Sequence, residues 1–248
     1  MANLDLHPDR GARPRSLRAA RLFSLSGIVP LAAFLMLHLY VNSRALAADA
    51  SFATALRVCD RALFAPYLPW LLVAAPLAFH GFFGLWLVVT SAPAPEPRPY
   101  PTGVRVAMRW TGVAALAFVA FHLSSTWSLS SWVVRGRAES DGLQLASRLA
   151  SELSSTSRSV PWRAVAYLLG STCATFHFVV GAWGFFAGTR AGEGARARRW
   201  AAWLTAVVGI GIAAAYGNVV AYYATGARLF GGARADTATP AECPAPPP

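Results

Sequence analysis

The chain contains no lysine. Its 22 basic residues are all arginine, set against only 11 acidic ones in 248 residues. Charged residues make up 13% of the chain and hydrophobic ones 55%. That scarcity of charge excludes an ordinary soluble domain of this size. Cysteine is also sparse. Cys59, Cys173 and Cys243 form no CxxC pair, which argues against a disulfide framework or a structural zinc site. Cys173 reads as a small apolar packing residue. No GxGxxG opens a helix after a strand, so there is no evident site for hydride or flavin chemistry. The net charge of +11 comes from arginines in loops and ends. They form no patch interleaved with aromatics, so nucleic acid is not an expected partner.

What the chain has instead is long apolar runs. A bilayer core about 30 Å thick needs about 20 apolar residues in a helix. Five stretches qualify, roughly 22–43, 67–90, 104–127, 162–189 and 201–225. Lipid leaves only helices or closed barrels as spanning structures, and these runs are too long and continuous for barrel strands. The expectation is an all-α integral membrane protein, a five-helix transmembrane bundle with no soluble domain. Trp70, Trp110, Trp127, Trp162 and Trp200 lie near the span ends, where interfacial aromatics belong.

Orientation follows the arginines. Arg10, Arg13, Arg15, Arg18 and Arg21 precede the first span, and Arg190, Arg196, Arg198 and Arg199 are expected in a loop between the fourth and fifth. Both groups fall on one side if the N-terminus is cytoplasmic, as in a multi-pass protein of a bacterial inner membrane. No apolar segment precedes the first span and no small-residue cleavage site ends it, so a cleaved signal peptide is not expected. Residues 1–21 read as a cytoplasmic tail and 22–225 as the membrane domain. Residues 226–248, ending in "CPAPPP", read as a disordered tail. The 44–66 connection is partly amphipathic and suits the outer interface. "SAPAPEPRPYP" at 91–101 is a Pro-rich turn. The Ser-rich 128–161 loop has one short helical stretch near 139–153.

Inside the spans stand four ionisable residues of one kind. His38, His80, His122 and His177 fall one in each of the first four spans, and the fifth has none. His7 lies in the polar tail. A single intramembrane histidine is consistent with a hydrogen-bonded packing residue. Four, one per consecutive helix, point to function. At 1.5 Å per residue, His38 and His122 each lie about 25 Å from the inner end of their spans, at Arg21 and Arg105. His80 lies about 15 Å from Thr90 and His177 about 18 Å from Thr189, again from the inner ends. Depth therefore pairs His38 with His122 and His80 with His177.

Local pattern gives the same pairs. "FLMLHLYVN" and "FVAFHLSST" each carry Phe four residues before the His and a polar residue four after. "HGFFG" and "HFVVG" each carry Gly four after. Residues four apart share a helix face, so Gly84 and Gly181 are expected beside their histidines. They make room either for a flat macrocycle or for close helix packing. Two facing imidazoles suit a six-coordinate haem iron, and neutral imidazole carries no charge into lipid. Zinc wants about four ligands at one depth. A proton relay usually includes acids, and the spans contain none. Two haems at different depths would make an electron wire, one subunit of a larger redox complex acting with a quinone.

With those residues in place, "RLFSLSGIVPLAAFLMLHLYVNS", "LPWLLVAAPLAFHGFFGLWLV" and "MRWTGVAALAFVAFHLSSTW" resemble the five-helix, two-haem cytochrome b membrane anchor of succinate dehydrogenase and fumarate reductase. The resemblance covers about residues 18–226. It implies that His80 and His177 ligate the inner haem b and His38 and His122 the outer one. It also implies a flavoprotein and an iron–sulfur subunit docked on the cytoplasmic side, and compatibility with a higher oligomer of the complex. Succinate electrons would then pass through FAD and iron–sulfur clusters to the haems and a quinone, usually menaquinone.

Under the same resemblance, Ser24, Arg109 and Arg190 become candidates for the inner haem's propionates, with snorkelling to lipid head groups as the rival role of the arginines. Asn42 and Thr126, one turn beyond the outer histidines, become candidates for the outer haem or quinone. Asp60 becomes a candidate for handling quinone protons, against a solvated loop carboxylate. Some relatives of this type carry Glu two residues before the helix IV histidine for proton movement. Thr175 stands there, so that path does not carry over. Two other classes compete: the cytochrome b of a quinone-linked hydrogenase or formate dehydrogenase, and a haem-free transporter or assembly anchor. The last lacks its expected intramembrane charges and paired broken helices.

Overall fold

The computed structural model describes residues 13–62, 70–90, 101–130, 139–189, 192 and 194–230. Among the described residues every regular element is helical. Helix α1 spans Arg13–Ser43 and runs through a 3-10 turn, Arg44–Leu46, towards α2, Asp49–Ala62. A π-helical turn, Trp70–Ala74, leads into α3, Ala75–Val89. Then come α4, Thr102–Ser130, α5, Glu139–Ser154, α6, Trp162–Ala187, and α7, Ala195–Thr225.

Five segments are long and apolar enough to cross a membrane: Arg21–Leu46, Leu71–Val89, Thr102–Ser125, Trp162–Ala187 and Ala195–Thr225. Their outer faces are apolar and exposed. Leu71, Phe82, Trp110, Trp203 and Ile210 each show two thirds or more of their surface. Patches of that extent need lipid or a partner to cover them. The five-span reading of the sequence therefore holds. Two boundaries differ from expectation. Helix α1 is already formed at Arg13, and α7 begins at Ala195, so Arg196, Arg198 and Arg199 lie in its first turns rather than in a loop. Ala and Arg are strong helix formers, so nothing in these segments stops the helix at the membrane boundary.

Among the described residues, a buried apolar cluster sits at one end of the bundle. Val41 and Ala45 at the end of α1 meet Phe52 and Ala55 of α2, Ala146 and Leu153 of α5, and Val219 and Tyr223 of α7. Helices α2 and α5 thus form a cap. The amphipathic 44–66 connection does more than lie at an interface: Phe52 is only 2% exposed. The helix expected near 139–153 is α5. Its Gly142 packs so closely on α2 that a Cβ there would stand 2.6 Å from the Ala53 Cβ. Below the cap, α6 packs on both α4 and α7, and α1 packs on α3.

Candidate functional site: two tiers of paired histidines

The four intramembrane histidines meet in two pairs. His80 and His177 have ring centroids 6.2 Å apart with planes at 74°. His38 and His122 are 5.9 Å apart at 81°. We refer to the first pair as the lower tier, on the Arg21 side, and to the second as the upper tier, beneath the α2–α5 cap. From Gly27 to His38, and from Gly112 to His122, the helices rise about 16 Å.

In the lower tier both imidazoles are seated on a backbone carbonyl of the neighbouring helix. His80, from α3, directs Nδ1 at the Phe23 carbonyl of α1, 3.0 Å away. His177, from α6, directs Nδ1 at the Met108 carbonyl of α4, 3.1 Å away. A carbonyl only accepts, so each Nδ1 carries the proton. In a neutral imidazole Nε2 then carries the lone pair. Four residues beyond each carbonyl is a glycine. A Cβ on Gly27 would lie 2.7 Å from His80 Cε1, and one on Gly112 would lie 2.8 Å from His177 Cε1. The missing side chains let each ring lie on the neighbouring helix backbone. Before each glycine comes a hydroxyl: Ser26 Oγ donates to the Phe23 carbonyl at 2.7 Å, whereas Thr111 Oγ1 donates to the Ala107 carbonyl at 2.7 Å and lies 3.4 Å from that of Met108. The Phe23 ring also stacks on His80 at 4.4 Å, nearly parallel.

The glycines singled out in the sequence are a different pair. Gly84 and Gly181 share a face with their histidines, but the atoms next to them belong to other residues. A Cβ on Gly84 would touch Phe23 Cζ at 3.7 Å, and one on Gly181 would touch Met108 Cε at 3.8 Å. Each therefore has a single ordinary contact beside it, from the side chain of a carbonyl-bearing residue. Gly27, Gly112, Phe23 and Met108 went unread. The available signal was the matching "FSLSG" and "MRWTG" in the two helices that carry the upper-tier histidines.

The upper tier is seated by side chains. His122 Nδ1 lies 3.1 Å from the Tyr167 hydroxyl of α6, which lies 3.0 Å from Ser125 Oγ. The phenylalanines four residues before each histidine lie against the imidazoles: Phe34 stacks on His38 at 5.2 Å and Phe118 lies 5.9 Å from His122. Helix α7, without a histidine of its own, brings Tyr216 to 6.3 Å from His38 and hydrogen-bonds it to the Leu35 carbonyl. A groove lined by Tyr40, Arg44, Ser51, Thr54 and Val58 opens nearby, between the end of α1 and α2.

The remaining candidates fall as follows. Ser24 is buried beside Phe23, and Arg109 is exposed beside Met108, so both adjoin a lower-tier carbonyl. Asn42 donates its side-chain amide to the His38 carbonyl at 2.8 Å. Thr175 is buried at 4% exposure. Asp60 and Thr126 are placed by backbone alone, in α2 and α4. Their side chains, and all of Arg190, lie outside the described residues.

Among the described residues no three His, Cys, Asp or Glu side chains gather as a metal cage. Two-ligand axial coordination is a different requirement. With metal–nitrogen bonds of about 2 Å and about 1 Å from nitrogen to ring centre, opposed imidazoles have centroids about 6 Å apart. Both pairs have that spacing. The donor chemistry fits as well, since ligating histidines characteristically give the other ring N–H to a carbonyl or similar acceptor.

Fold and site together define an all-helical membrane protein with imidazoles paired at two levels. The chain is similar to the succinate dehydrogenase cytochrome b558 subunit of Bacillus subtilis (strain 168), 28% identical over 166 residues. The match covers 66% of this chain and 76% of that protein. No family model matches, and no solved structure matches. The likeness supports the cytochrome b membrane-anchor family.

Proposed function

We propose that the chain is the di-haem cytochrome b membrane anchor of a succinate:quinone oxidoreductase. It would carry electrons between docked flavoprotein and iron–sulfur subunits and a membrane quinone, menaquinone by the sequence resemblance. The observation that carries the reading is the double histidine pairing, at 5.9 and 6.2 Å, on two levels of one bundle. The similarity to the Bacillus subtilis subunit supports the succinate dehydrogenase assignment over other quinone-linked dehydrogenases.

Under this reading His80 and His177 hold one haem b, and His38 and His122 the other. Each haem, when bound, supplies a one-electron couple. The protein would supply neutral imidazole nitrogens to hold it and would orient the rings. Met108 and Phe23 carbonyls and the Gly27 and Gly112 seats fix the lower rings. Ser24 and Arg109 adjoin that tier and are the candidates for its propionates, with Arg190. Asn42, Thr126 and Asp60 are the candidates on the quinone side. Succinate oxidation would belong to the FAD-bearing partner. The arginine-rich ends would face the cytoplasm of a bacterium, where the partners dock.

The test is purification of the native complex, followed by visible spectroscopy and a succinate–quinone assay. The expected result is low-spin haem b at about two per chain, with a co-purifying flavoprotein. A colourless protein sinks the proposal. A nickel or molybdenum partner in place of the flavoprotein sinks the succinate assignment and keeps the haem one.

A further inference from the structure

The lower-tier histidines have acceptors that can only accept. The upper tier does not. A tyrosine hydroxyl can donate to an imidazole nitrogen or accept from it, and the two cases put the lone pair on opposite sides of the ring. If Tyr167 donated to His122 Nδ1, the proton would sit on Nε2 and that nitrogen could not bind a metal.

Three bonds settle the direction by proton counting. Ser125 Oγ lies 3.0 Å from the His122 carbonyl. The carbonyl has no proton to give, so the single Ser125 hydroxyl hydrogen points there. Ser125 Oγ then accepts from Tyr167, 3.0 Å away. That uses the single phenolic hydrogen. The Tyr167 oxygen therefore accepts from His122 Nδ1 at 3.1 Å. The chain of donors leaves His122 by its ring and returns to its own carbonyl.

We propose that Tyr167 and Ser125 form a closed hydrogen-bond ring that holds His122 in the Nδ1–H tautomer, making Tyr167 the positioning residue for the upper-tier ligand. This rests on the haem reading above for its consequence, but not for the tautomer itself. The ring is braced: Phe118 and Phe121 meet the Tyr167 ring edge-on at 5.5 and 5.7 Å. Phe118 in turn lies over Gly170, where a Cβ would be 2.2 Å from it. An acceptor on Nδ1–H makes the opposite nitrogen a better donor, which favours ferric over ferrous iron. In low-dielectric surroundings such networks weigh more than they do in water.

The experiment compares wild type, Tyr167→Phe and Ser125→Ala in the full chain by redox titration and by imidazole nitrogen NMR of the reduced protein. Tyr167→Phe removes the acceptor. An outer-shell loss of about tenfold in ferric-over-ferrous preference raises one haem potential by about 59 mV for one electron. The other haem should keep its potential. Ser125→Ala keeps the acceptor but no longer orients it, and should give a smaller shift in the same direction. The NMR signal of His122 should show Nδ1–H in wild type. Loss of one haem alone in Tyr167→Phe, with the Ser125→Ala shift intact, also supports the ring. Unchanged potentials in both variants, equal shifts of both haems, or an Nε2–H tautomer in wild type overturns it. A wild-type protein without haem overturns the functional reading instead, and the tautomer measurement still decides the ring.

Discussion

Gly112→Ala tests the seat of the lower tier directly. The added Cβ would stand 2.8 Å from His177 Cε1 and 3.1 Å from Nδ1. The nearer contact falls about 0.6 Å short of ordinary van der Waals separation. The methyl group sits on helix backbone and cannot yield, so the ring must. A shift of about 0.6 Å away from α4 stretches the 3.1 Å bond to the Met108 carbonyl past hydrogen-bonding range. The net loss is about 1 kcal/mol for the bond, and about 1–3 kcal/mol if the N–H is left buried without an acceptor. Opposing this, Gly→Ala inside a helix gains about 1 kcal/mol of propensity. Overall stability should therefore change little, while haem affinity should fall about 10–100-fold through the displaced ligand. The assay is haem stoichiometry and low-spin spectra of the purified variant, with thermal unfolding alongside. The haem weakened should be the one removed by His177→Ala, and the other should persist. Gly103→Ala, on the same helix with nothing within 4 Å of the added Cβ, is the matched control. Full occupancy and unchanged spectra in Gly112→Ala refute the seat.

Other consequences are simpler to state. His80→Ala and His177→Ala should abolish one and the same haem signal, and His38→Ala and His122→Ala the other. Loss of a shared haem by His38→Ala and His80→Ala would break the pairing. Gly142→Ala drives a methyl into Ala53 at 2.6 Å from Cβ and 2.7 Å from Cα, and overpacking of this kind costs about 1–3 kcal/mol. A lower melting temperature in detergent is the expected reading, with both haem spectra kept. Asn218 is 1% exposed and bonds Leu229 and Phe230 backbone groups at 2.7 and 3.0 Å. Asn218→Ala should cost about 1–3 kcal/mol and speed limited proteolysis beyond Gly226.

The spans and the histidines were legible because lipid makes both conspicuous. Twenty apolar residues are hard to explain otherwise, and an imidazole among them is costly enough to require a reason. Depth arithmetic paired His38 with His122 because helices are rigid rulers. It failed to find the partners of the imidazoles for a definite cause. Phe23 and Met108 act through carbonyl oxygens, which every residue has, so their identities carry no mark. The glycines under the rings, Gly27 and Gly112, went unseen because the sequence reading looked along the histidine's own helix. A long side chain leaves its own helix and lands on the next, so the residue that must be small is across the gap. The cap was half visible. The amphipathic pattern of α2 announced a buried face but not that α5, more than eighty residues later, would cover it.

The paired seats explain why this arrangement suits a membrane interior. A buried imidazole needs an acceptor for its spare proton, and each acid spent on that task would bring a charge into lipid. Backbone carbonyls cost nothing extra, but within a helix each is already committed to the N–H four residues on. A hydroxyl three residues on can also reach it, as Ser26 does for the Phe23 carbonyl, but a ring from the next helix must come in from the side, where a side chain at that fourth residue would stand in the way. Glycine there opens the approach, as Gly27 does for the Phe23 carbonyl and Gly112 for that of Met108. Helices α1 and α4 each combine this seat with a histidine 11 or 10 residues further on, itself part of the upper tier. Each of these two helices therefore serves both levels, backbone at one and side chain at the other. The number of spans needed to hold two pairs of imidazoles stays at four, and α7 is left to brace the upper tier through Tyr216.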